Sequence, residues 1–384
     1  MNSRQRTIAF LDGEAVDRIP VVHFGFWKET LLKWAREGHI SREEAQDWSD
    51  SNEIDDVISA RLGFDYDWAP AFDPGHYLRP FFEERVVREL PDGSRHFQNR
   101  EGVIELEVPG AVSIRSEIKH LLVDRESWED LYRWRFEWDP DRVGEAPIRI
   151  GDRTLPFGQG GAEALNQWDP DRPMGLACGS FIGWVRNMLG VEGLSYLTVD
   201  EPELVEEIIN TNAALSLRCL EETLSQSDKF DYGHFWEDIC FNMGPLVNPA
   251  FFKEKVAPWY RKTSELLARH GIRYISVDCD GCIDALVPIW LESGINVMFP
   301  IEVGTWNASI APWQEAYGSA LKGVGGVRKS VFSRDQAAVD EEIERLKPLI
   351  AHGGYIPCPD HRIPPDAKWE LVQYYTERLR GLAV

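Results

Sequence analysis

The stretch Ile272-Arg-Tyr-Ile-Ser-Val-Asp278-Cys-Asp-Gly-Cys282 indicates a short buried strand that ends in a group of polar residues. Side chains alternate between the two faces of a strand, so Asp278 and Asp280 should point the same way. Residues 283–292 follow as an amphipathic stretch, which predicts a helix. A strand that passes directly into a helix is the repeating unit of a parallel sheet.

The same alternation of strands and helices extends outward from this stretch and predicts an α/β fold, the (β/α)8 or TIM barrel. Further strands are predicted at residues 19–26, 230–235, 296–302, 321–327 and 355–358, and further helices at residues 4–11, 335–351 and about 366–382. Because α/β barrels often exceed the usual length of a domain, residues 1–384 are expected to form a single domain.

One part of the chain interrupts this alternation. Residues from 65 to about 120 are rich in aromatic residues, prolines and turn signals such as Asp92-Gly93. Two runs of alternating polarity, at residues 86–90 and 103–107, are typical of hairpin strands. We therefore predict an antiparallel β insertion after the first βα unit of the barrel.

Composition excludes several classes of partner. The formal net charge of −23 repels both nucleic acid backbones and anionic membrane surfaces, so neither is an expected partner. Six cysteines at irregular spacing do not form a disulfide framework and are expected to be reduced. No apolar run is long enough for a signal peptide or a membrane span. The expected location is the cytoplasm.

Four polar residues are predicted to meet at one end of the barrel. Asp278, Asp280, Glu302 and His361 each stand at or just past the C-terminal end of a predicted strand, where barrel enzymes hold their active sites. Crowded carboxylates raise one another's pKa unless a cation compensates, so the four residues predict a divalent metal site. In the alternative, Asp280 caps the next helix, Asp278 accepts backbone hydrogen bonds and His361 belongs to an ordinary turn.

A rival metal set overlaps the first. Cys279 and Cys282 form a C-x-x-C pair, and Cys358 with His361 forms a C-x-x-H pair, which together suit zinc. Strand alternation turns Cys279 away from the two aspartates, which argues against this set. Buried, unreactive cysteines are the favoured interpretation.

Several of these residues belong to segments that also carry a family resemblance. They are Ile275-Ser-Val-Asp-Cys-Asp-Gly-Cys-Ile-Asp284, Phe299-Pro-Ile-Glu302, Gly325-Gly-Val327 and Gly354-Tyr-Ile-Pro-Cys-Pro-Asp-His-Arg-Ile-Pro-Pro-Asp366, together with residues 4–20 and 179–190. These segments resemble the uroporphyrinogen decarboxylase superfamily, which includes cobalamin-dependent methyltransferases that activate thiols on zinc. The resemblance spans nearly the whole chain outside the predicted insertion. It implies the barrel fold, a zinc ion and methyl transfer.

The ligand types depart from those of the methyltransferases. Asp278 and Asp280 stand where that family has a His-x-Cys pair, and His361 stands where it has a distal cysteine. A mostly oxygen shell is harder than a thiolate shell and favours an oxygen-bound substrate, such as a methoxy group. No Asp-x-His-x-x-Gly corrinoid signature occurs. The resemblance therefore implies a metal-dependent methyltransferase, or demethylase, whose corrinoid is carried by a separate protein.

Other residues at the strand ends are candidates for contact with a small-molecule substrate. The residues at the end of the first strand are predicted to form an aromatic wall. Residues at two later strand ends are predicted to make charged or aromatic contacts with the substrate. Glu237 and His361 are predicted to act as acid–base catalysts. The predicted substrate contacts are His23, Phe24, Phe26, Trp27, Trp236, Asp238, Arg328 and Lys329. Packing, salt bridges and surface exposure are the alternative roles for these residues.

A second function stays open, that of a lyase decarboxylating a small organic acid whose carboxylate is held by the metal or by Arg328. Uroporphyrinogen itself is not the expected substrate. The decarboxylases of the superfamily resemble one another in an arginine-rich stretch after the first strand, whereas residues 22–30 of this chain contain no arginine.

Overall fold

A computed structural model describes residues 1–110 and 115–382 and contains a central parallel sheet flanked by helices. The strands of the described chain are β1 Val22–His23, β2 Tyr66–Asp67, β3 Arg85–Glu89, β4 Arg95–Gln98, β5 Val103–Glu107, β6 Ser116–His120, β7 Pro147–Ile150, β8 Arg153–Pro156, β9 Gly175–Gly179, β10 Tyr232–Trp236, β11 Cys240–Phe241, β12 Gly244–Pro245, β13 Tyr274–Asp278, β14 Val297–Phe299, β15 Lys322–Val327 and β16 Tyr355–Pro359.

Helices connect most of these strands. The α-helices in the described ranges are α1 Ser3–Asp12, α2 Lys28–Glu37, α3 Arg42–Asp47, α4 Glu53–Leu62, α5 Arg125–Ser127, α6 Asp141–Gly144, α7 Ala162–Gln167, α8 Gly183–Asp200, α9 Pro202–Gln226, α10 Pro249–Phe251, α11 Ala257–Arg269, α12 Val287–Glu292, α13 Val303–Trp306, α14 Ala311–Tyr317, α15 Gln336–His352 and α16 Trp369–Arg380. None of the described helices is both long and apolar enough to cross a membrane.

The central sheet has six parallel strands in the order β16-β15-β14-β13-β10-β9. Its neighbouring strands end at the same level, since Trp236 pairs with Asp278, and Asp278 pairs with Phe299. All six of these strands are buried along their whole length or nearly so, as expected for a sheet covered on both faces. The fold is thus mixed α/β and resembles a TIM barrel.

The remaining parallel strands lie beside the two edges of this sheet. β1 pairs with β2, the bridge Phe26–Ile363 lies next to β16, and the bridge Phe72–Leu176 reaches β9. The predicted first strand, residues 19–26, is shorter in the structure. Pro20 cannot donate a backbone hydrogen bond, and Gly25 has a φ of +85°, so both ends leave the ladder.

A separate antiparallel sheet of four strands, β3-β4-β5-β6, lies between Arg85 and His120. It falls within the predicted insertion, and the two predicted runs correspond to β3 and β5. Residues 111–114 of that insertion lie outside the described residues. The status of the sheet as an insertion into a closed barrel stays a prediction. All six cysteines are free thiols.

Candidate active site

A cavity of about 300 Å³ opens at the C-terminal ends of the parallel strands. Residues at or just beyond strand ends contribute part of its lining: Asp67 at the end of β2, His234 and Trp236 on β10, Asp278 at the end of β13, and Arg362 beyond β16. The other lining residues are Phe24, Asp50, Ser51, Trp68, Ala69 and Pro70. Because parallel strands end together, residues far apart in sequence meet here, as in the active sites of barrel enzymes.

His361 lies beside this cavity and pairs with one of the predicted metal ligands. Its Nε2 is 3.2 Å from Oδ2 of Asp280. The imidazole stacks on Trp27 with a centroid distance of 5.3 Å, and Phe24 meets it edge-on at 5.3 Å. Oδ1 of Asp280 and Nδ1 of His361 are buried without a hydrogen-bond partner in the described part of the chain. Two polar atoms are therefore left free in the pair.

Carboxylates surround this pair and repel one another. Burial, followed by the charge of Asp280, raises the pKa of Glu302, and the same two causes raise the pKa of Asp278 and that of Asp238. Glu302 also accepts a hydrogen bond of 2.7 Å from the backbone N–H of Gly281. A cation placed among these groups would relieve both the burial cost and the repulsion.

The predicted metal donors are only partly assembled. No group of three or more His, Cys, Asp or Glu side chains in residues 1–110 and 115–382 is arranged to hold a metal ion. Asp280 and His361 are in contact, whereas Asp278 lines the cavity. The ligand set Asp278, Asp280, Glu302 and His361 therefore stays a prediction. The oxygen and nitrogen donors of these residues, and the unpaired Oδ1 of Asp280 and Nδ1 of His361, are compatible with a bound metal ion.

The rival cysteine set is not assembled either. Cys279 is buried, and its sulfur accepts a 3.4 Å hydrogen bond from the backbone N–H of Ile239. Burial raises the pKa of Cys279, Cys282 and Cys358, so their thiols stay protonated near neutral pH. These cysteines are buried or half-buried neutral groups, as the favoured interpretation has it.

Asp278 differs from the other lining carboxylates because, within the described chain, it is attracted by the charge of Arg362 but forms no hydrogen bond or ion pair. Asp50 receives two hydrogen bonds from Arg362, at 2.9 and 2.6 Å. Asp67 lies 3.4 Å from Arg172. No hydrogen bond or ion pair within the described chain reaches the carboxylate of Asp278, which is only 7% exposed. The cavity therefore carries one acidic group with which no described residue pairs directly.

Glu237, predicted as a catalytic acid or base, is fully buried away from the cavity lining. Its carboxylate accepts hydrogen bonds from the hydroxyls of Ser180 (3.1 Å) and Tyr260 (2.5 Å). It also accepts three backbone N–H groups at the start of α8, those of Phe181, Ile182 and Gly183. Such N–H groups have no partner within the helix, so Glu237 anchors the loop that leads into α8.

We expect Glu237→Gln to destabilise the fold by on the order of 3 kcal/mol, because an amide nitrogen would face donors that now meet a carboxylate oxygen. Chemical denaturation measures the change, with the exposed Glu344→Gln as control. Full stability combined with lost turnover would instead support the predicted catalytic role.

Of the four residues of the predicted aromatic wall, only Phe24 lines the cavity. Trp27 stacks on His361, whereas His23 and Phe26 are buried elsewhere. Nε2 of His23 is 2.7 Å from the hydroxyl of Ser59, and its Nδ1 accepts a hydrogen bond from the backbone N–H of Gly25. Burial lowers the pKa of His23 to about 3, so its imidazole is neutral. Phe26 packs against tryptophans Trp34 and Trp48. These two residues have packing contacts, whereas Phe24 and Trp236 line the cavity.

The predicted anion-binding pair also lies apart from the cavity lining. Arg328 forms an ion pair of 3.0 Å with Glu342 on α15. The backbone N–H of Lys329 donates to Asp360 at 3.1 Å. Asp238, predicted to contact the substrate, pairs with Arg186 at 3.0 Å. The guanidinium that reaches the cavity is that of Arg362.

Sequence reasoning did not identify six of the lining residues that carry polar or aromatic groups: Asp50, Ser51, Asp67, Trp68, His234 and Arg362. Strand alternation could have found His234, which lies two residues before Trp236 on β10 and so shares its face. Burial lowers the pKa of His234 to about 4, and its Nδ1 has no partner in the described chain. Nothing in the sequence singles out Asp50 or Trp68, because both lie in irregular segments.

Comparison with known proteins relates this chain to others by structure alone. No protein-family model and no curated protein matches it. A methyltransferase from Methanosarcina mazei is 13% identical, with a TM-score of 0.59 over 99% of this chain and 98% of that one. A B12-independent methionine synthase from Shewanella sp. W3-18-1 is 13% identical, with a TM-score of 0.41 over 85% and 86% of the two chains. The first match shows a shared fold. The TM-score of the second is too low to support a conclusion about this chain.

Proposed function

We propose that this chain is an enzyme that transfers a methyl group from a small, oxygen-linked donor to a corrinoid carried by a separate protein. The motifs that resemble the uroporphyrinogen decarboxylase superfamily support this proposal, as does the fold shared with a methyltransferase. We also infer membership of that superfamily and a single domain over residues 1–384, with the antiparallel sheet as an insertion. The bridges Phe26–Ile363 and Phe72–Leu176 support closure of the parallel strands into a barrel.

The observation that favours methyl transfer over decarboxylation is the charge of the cavity. Asp50 forms an ion pair with Arg362, the guanidinium in the described lining, whereas no hydrogen bond or ion pair of the described chain reaches the carboxylate of Asp278. A substrate carboxylate would add to the burial and like-charge repulsion that already raise the pKa of Asp278, and such repulsion is strong in a partly desolvated space. A donor without a carboxylate fits this lining better.

A divalent ion, with zinc expected from the resemblance, would be held by Asp280, His361 and Glu302, with Asp278 on the cavity side. It would polarise the oxygen from which the methyl group leaves. Trp27 and Phe24 hold the ring of His361 in place through their contacts with it. The aromatic lining excludes water from the donor, which limits hydrolysis at the reacting carbon.

The test is a reaction of the purified full chain with small methyl ethers and an excess of cob(I)alamin, followed by the absorbance of methylcobalamin. We expect formation that depends on enzyme and donor, at least about tenfold slower with Asp280→Asn. The exposed Asp366→Asn is the matched control. Release of carbon dioxide from small acids, without corrinoid and without methyl transfer, would support the lyase instead.

A further inference from the structure

The cavity contains two buried polar side chains that form no hydrogen bond or ion pair with the described residues. The residues are Asp278 and His234, which are 7% and 6% exposed and line the same space. Nδ1 of His234 makes no hydrogen bond in the described chain. Burying unpaired polar groups costs free energy, so such groups are retained where a ligand completes them.

The walls around these two groups are aromatic. Phe24, Trp68 and Trp236 contribute to the lining. A metal ion alone does not explain this arrangement, because hard cations take oxygen donors and water rather than aromatic rings. Aromatic side chains beside a carboxylate instead suit an organic cation, which gains from the ring electrons and from the opposite charge.

From this lining we propose that the cavity binds a small organic ammonium group, with Asp278 as its counter-charge and with Phe24 and Trp236 as its walls. At about 300 Å³ the cavity is at the small end of ligand sites, which span about 300–1,000 Å³. The ligand is therefore of the size of a methylated ammonium with a short substituent. Asp278 then belongs to the substrate site, leaving Asp280, His361 and Glu302 for the predicted metal.

This inference rests on the proposed function only in taking the cavity as the substrate site. The ammonium group can anchor a substrate that carries a methoxy group elsewhere, or it can bear the transferred methyl group itself. Binding is measured without turnover. A protein that binds no ammonium but methylates cob(I)alamin would thus overturn this inference and leave the proposed function standing.

The test is calorimetric titration of the full chain with tetramethylammonium and with choline. The neutral isostere of choline, 3,3-dimethylbutan-1-ol, has nearly the same shape without the charge. We expect both cations to bind at one site per chain and the isostere to bind at least about tenfold more weakly. Equal binding of choline and its isostere would overturn the proposal, because the site would then recognise only shape.

Two variants locate the binding site. Asp278→Asn, which keeps the side-chain shape, should weaken choline binding at least about tenfold, and Trp236→Leu should weaken it about fivefold. Asp366→Asn, on the surface, should leave it unchanged. Thermal denaturation of each variant separates lost binding from lost folding. If both cavity variants fold and bind choline as tightly as the original protein, the proposal is wrong.

A third arm distinguishes the ammonium site from the metal site. The titration is repeated after removal of metal by a chelator and again after loading with zinc. Choline binding that persists in the zinc-loaded protein supports separate sites. Choline that is displaced stoichiometrically by zinc would overturn the proposal, since Asp278 would then act as a metal ligand alone.

Discussion

Replacing Gly325 with alanine is expected to destabilise the protein by more than about 4 kcal/mol, enough to prevent folding of many domains of marginal stability. A Cβ atom at this position would lie 1.4 Å from the carbonyl oxygen of Pro300. That contact is with the backbone of the segment following β14, so no side-chain rotation can relieve it. The φ of Gly325 is +132°, which an alanine also rarely adopts.

The close approach at Gly325 seats the segment that carries Glu302. The backbone N–H of Gly326 donates to the carbonyl of Pro300 at 3.0 Å, which holds residues 300–302 against β15. Separating the two segments would therefore move Glu302 away from Asp280 as well as open the core. The Gly325-Gly326 pair is thus needed both for packing and for the shape of the site.

Gly13→Ala is the matched control for this prediction. Gly13 caps the end of α1 with a φ of +75°, but a Cβ there would meet nothing within 4 Å. This variant carries the left-handed backbone strain alone, which costs about 1–2 kcal/mol. Urea denaturation of both variants measures the difference. Equal losses would mean that the backbone contact at Gly325 relaxes without cost.

Most of the parallel sheet could be predicted from the sequence, because buried parallel strands are continuous apolar runs with helices between them. The predicted strands at residues 321–327 and 355–358 differ by one residue from β15 and β16. The helix predicted from residue 283 begins only at Val287. Gly281 has a φ of +84° and turns the chain, so residues 280–286 form a loop before the helix.

The cavity was harder to predict because its lining depends on segments without periodicity. Asp50 precedes Ser51, a serine with a φ of +61°, and it reaches Arg362 across 312 residues of sequence. Trp68 follows a strand of only two residues. Alternation identifies which residues share a face of a strand, but it contains no information about loops that return to the site from elsewhere.

The hydrogen-bond partners of buried charges were also beyond the sequence. Glu237 was predicted as a catalytic acid or base and Asp238 as a substrate contact, so both were expected to face the site. Successive residues at the end of β10 point in different directions, and Asp238 has a φ of +37°. Glu237 consequently turns toward the start of α8, while Asp238 pairs with Arg186. Only the tertiary structure decides which backbone N–H groups need an acceptor.

Replacement of His361 by alanine is expected to remove the bound metal and to reduce turnover by at least about a hundredfold, since even residues that only support metal ligands contribute about 10–100-fold. His361 is the predicted imidazole ligand, and its partner Asp280 would lose its 3.2 Å contact. Mass spectrometry of purified protein gives the metal content, and methylcobalamin formation gives the turnover.

His352→Ala serves as the control for His361→Ala because His352 is exposed at the end of α15. Loss of the His361 ring also removes its stacking on Trp27, so stability must be measured beside metal content. Retained folding with lost metal is the result that identifies a ligand. Unchanged metal in the His361 variant would show that the ligand assignment is wrong.

X-ray absorption of the original protein then identifies which atoms coordinate the metal, because oxygen and nitrogen neighbours lie at about 2.0–2.2 Å from zinc and sulfur at about 2.3 Å. A sulfur shell would return Cys279 and Cys358 to consideration and remove the chemical reason for an oxygen-linked donor.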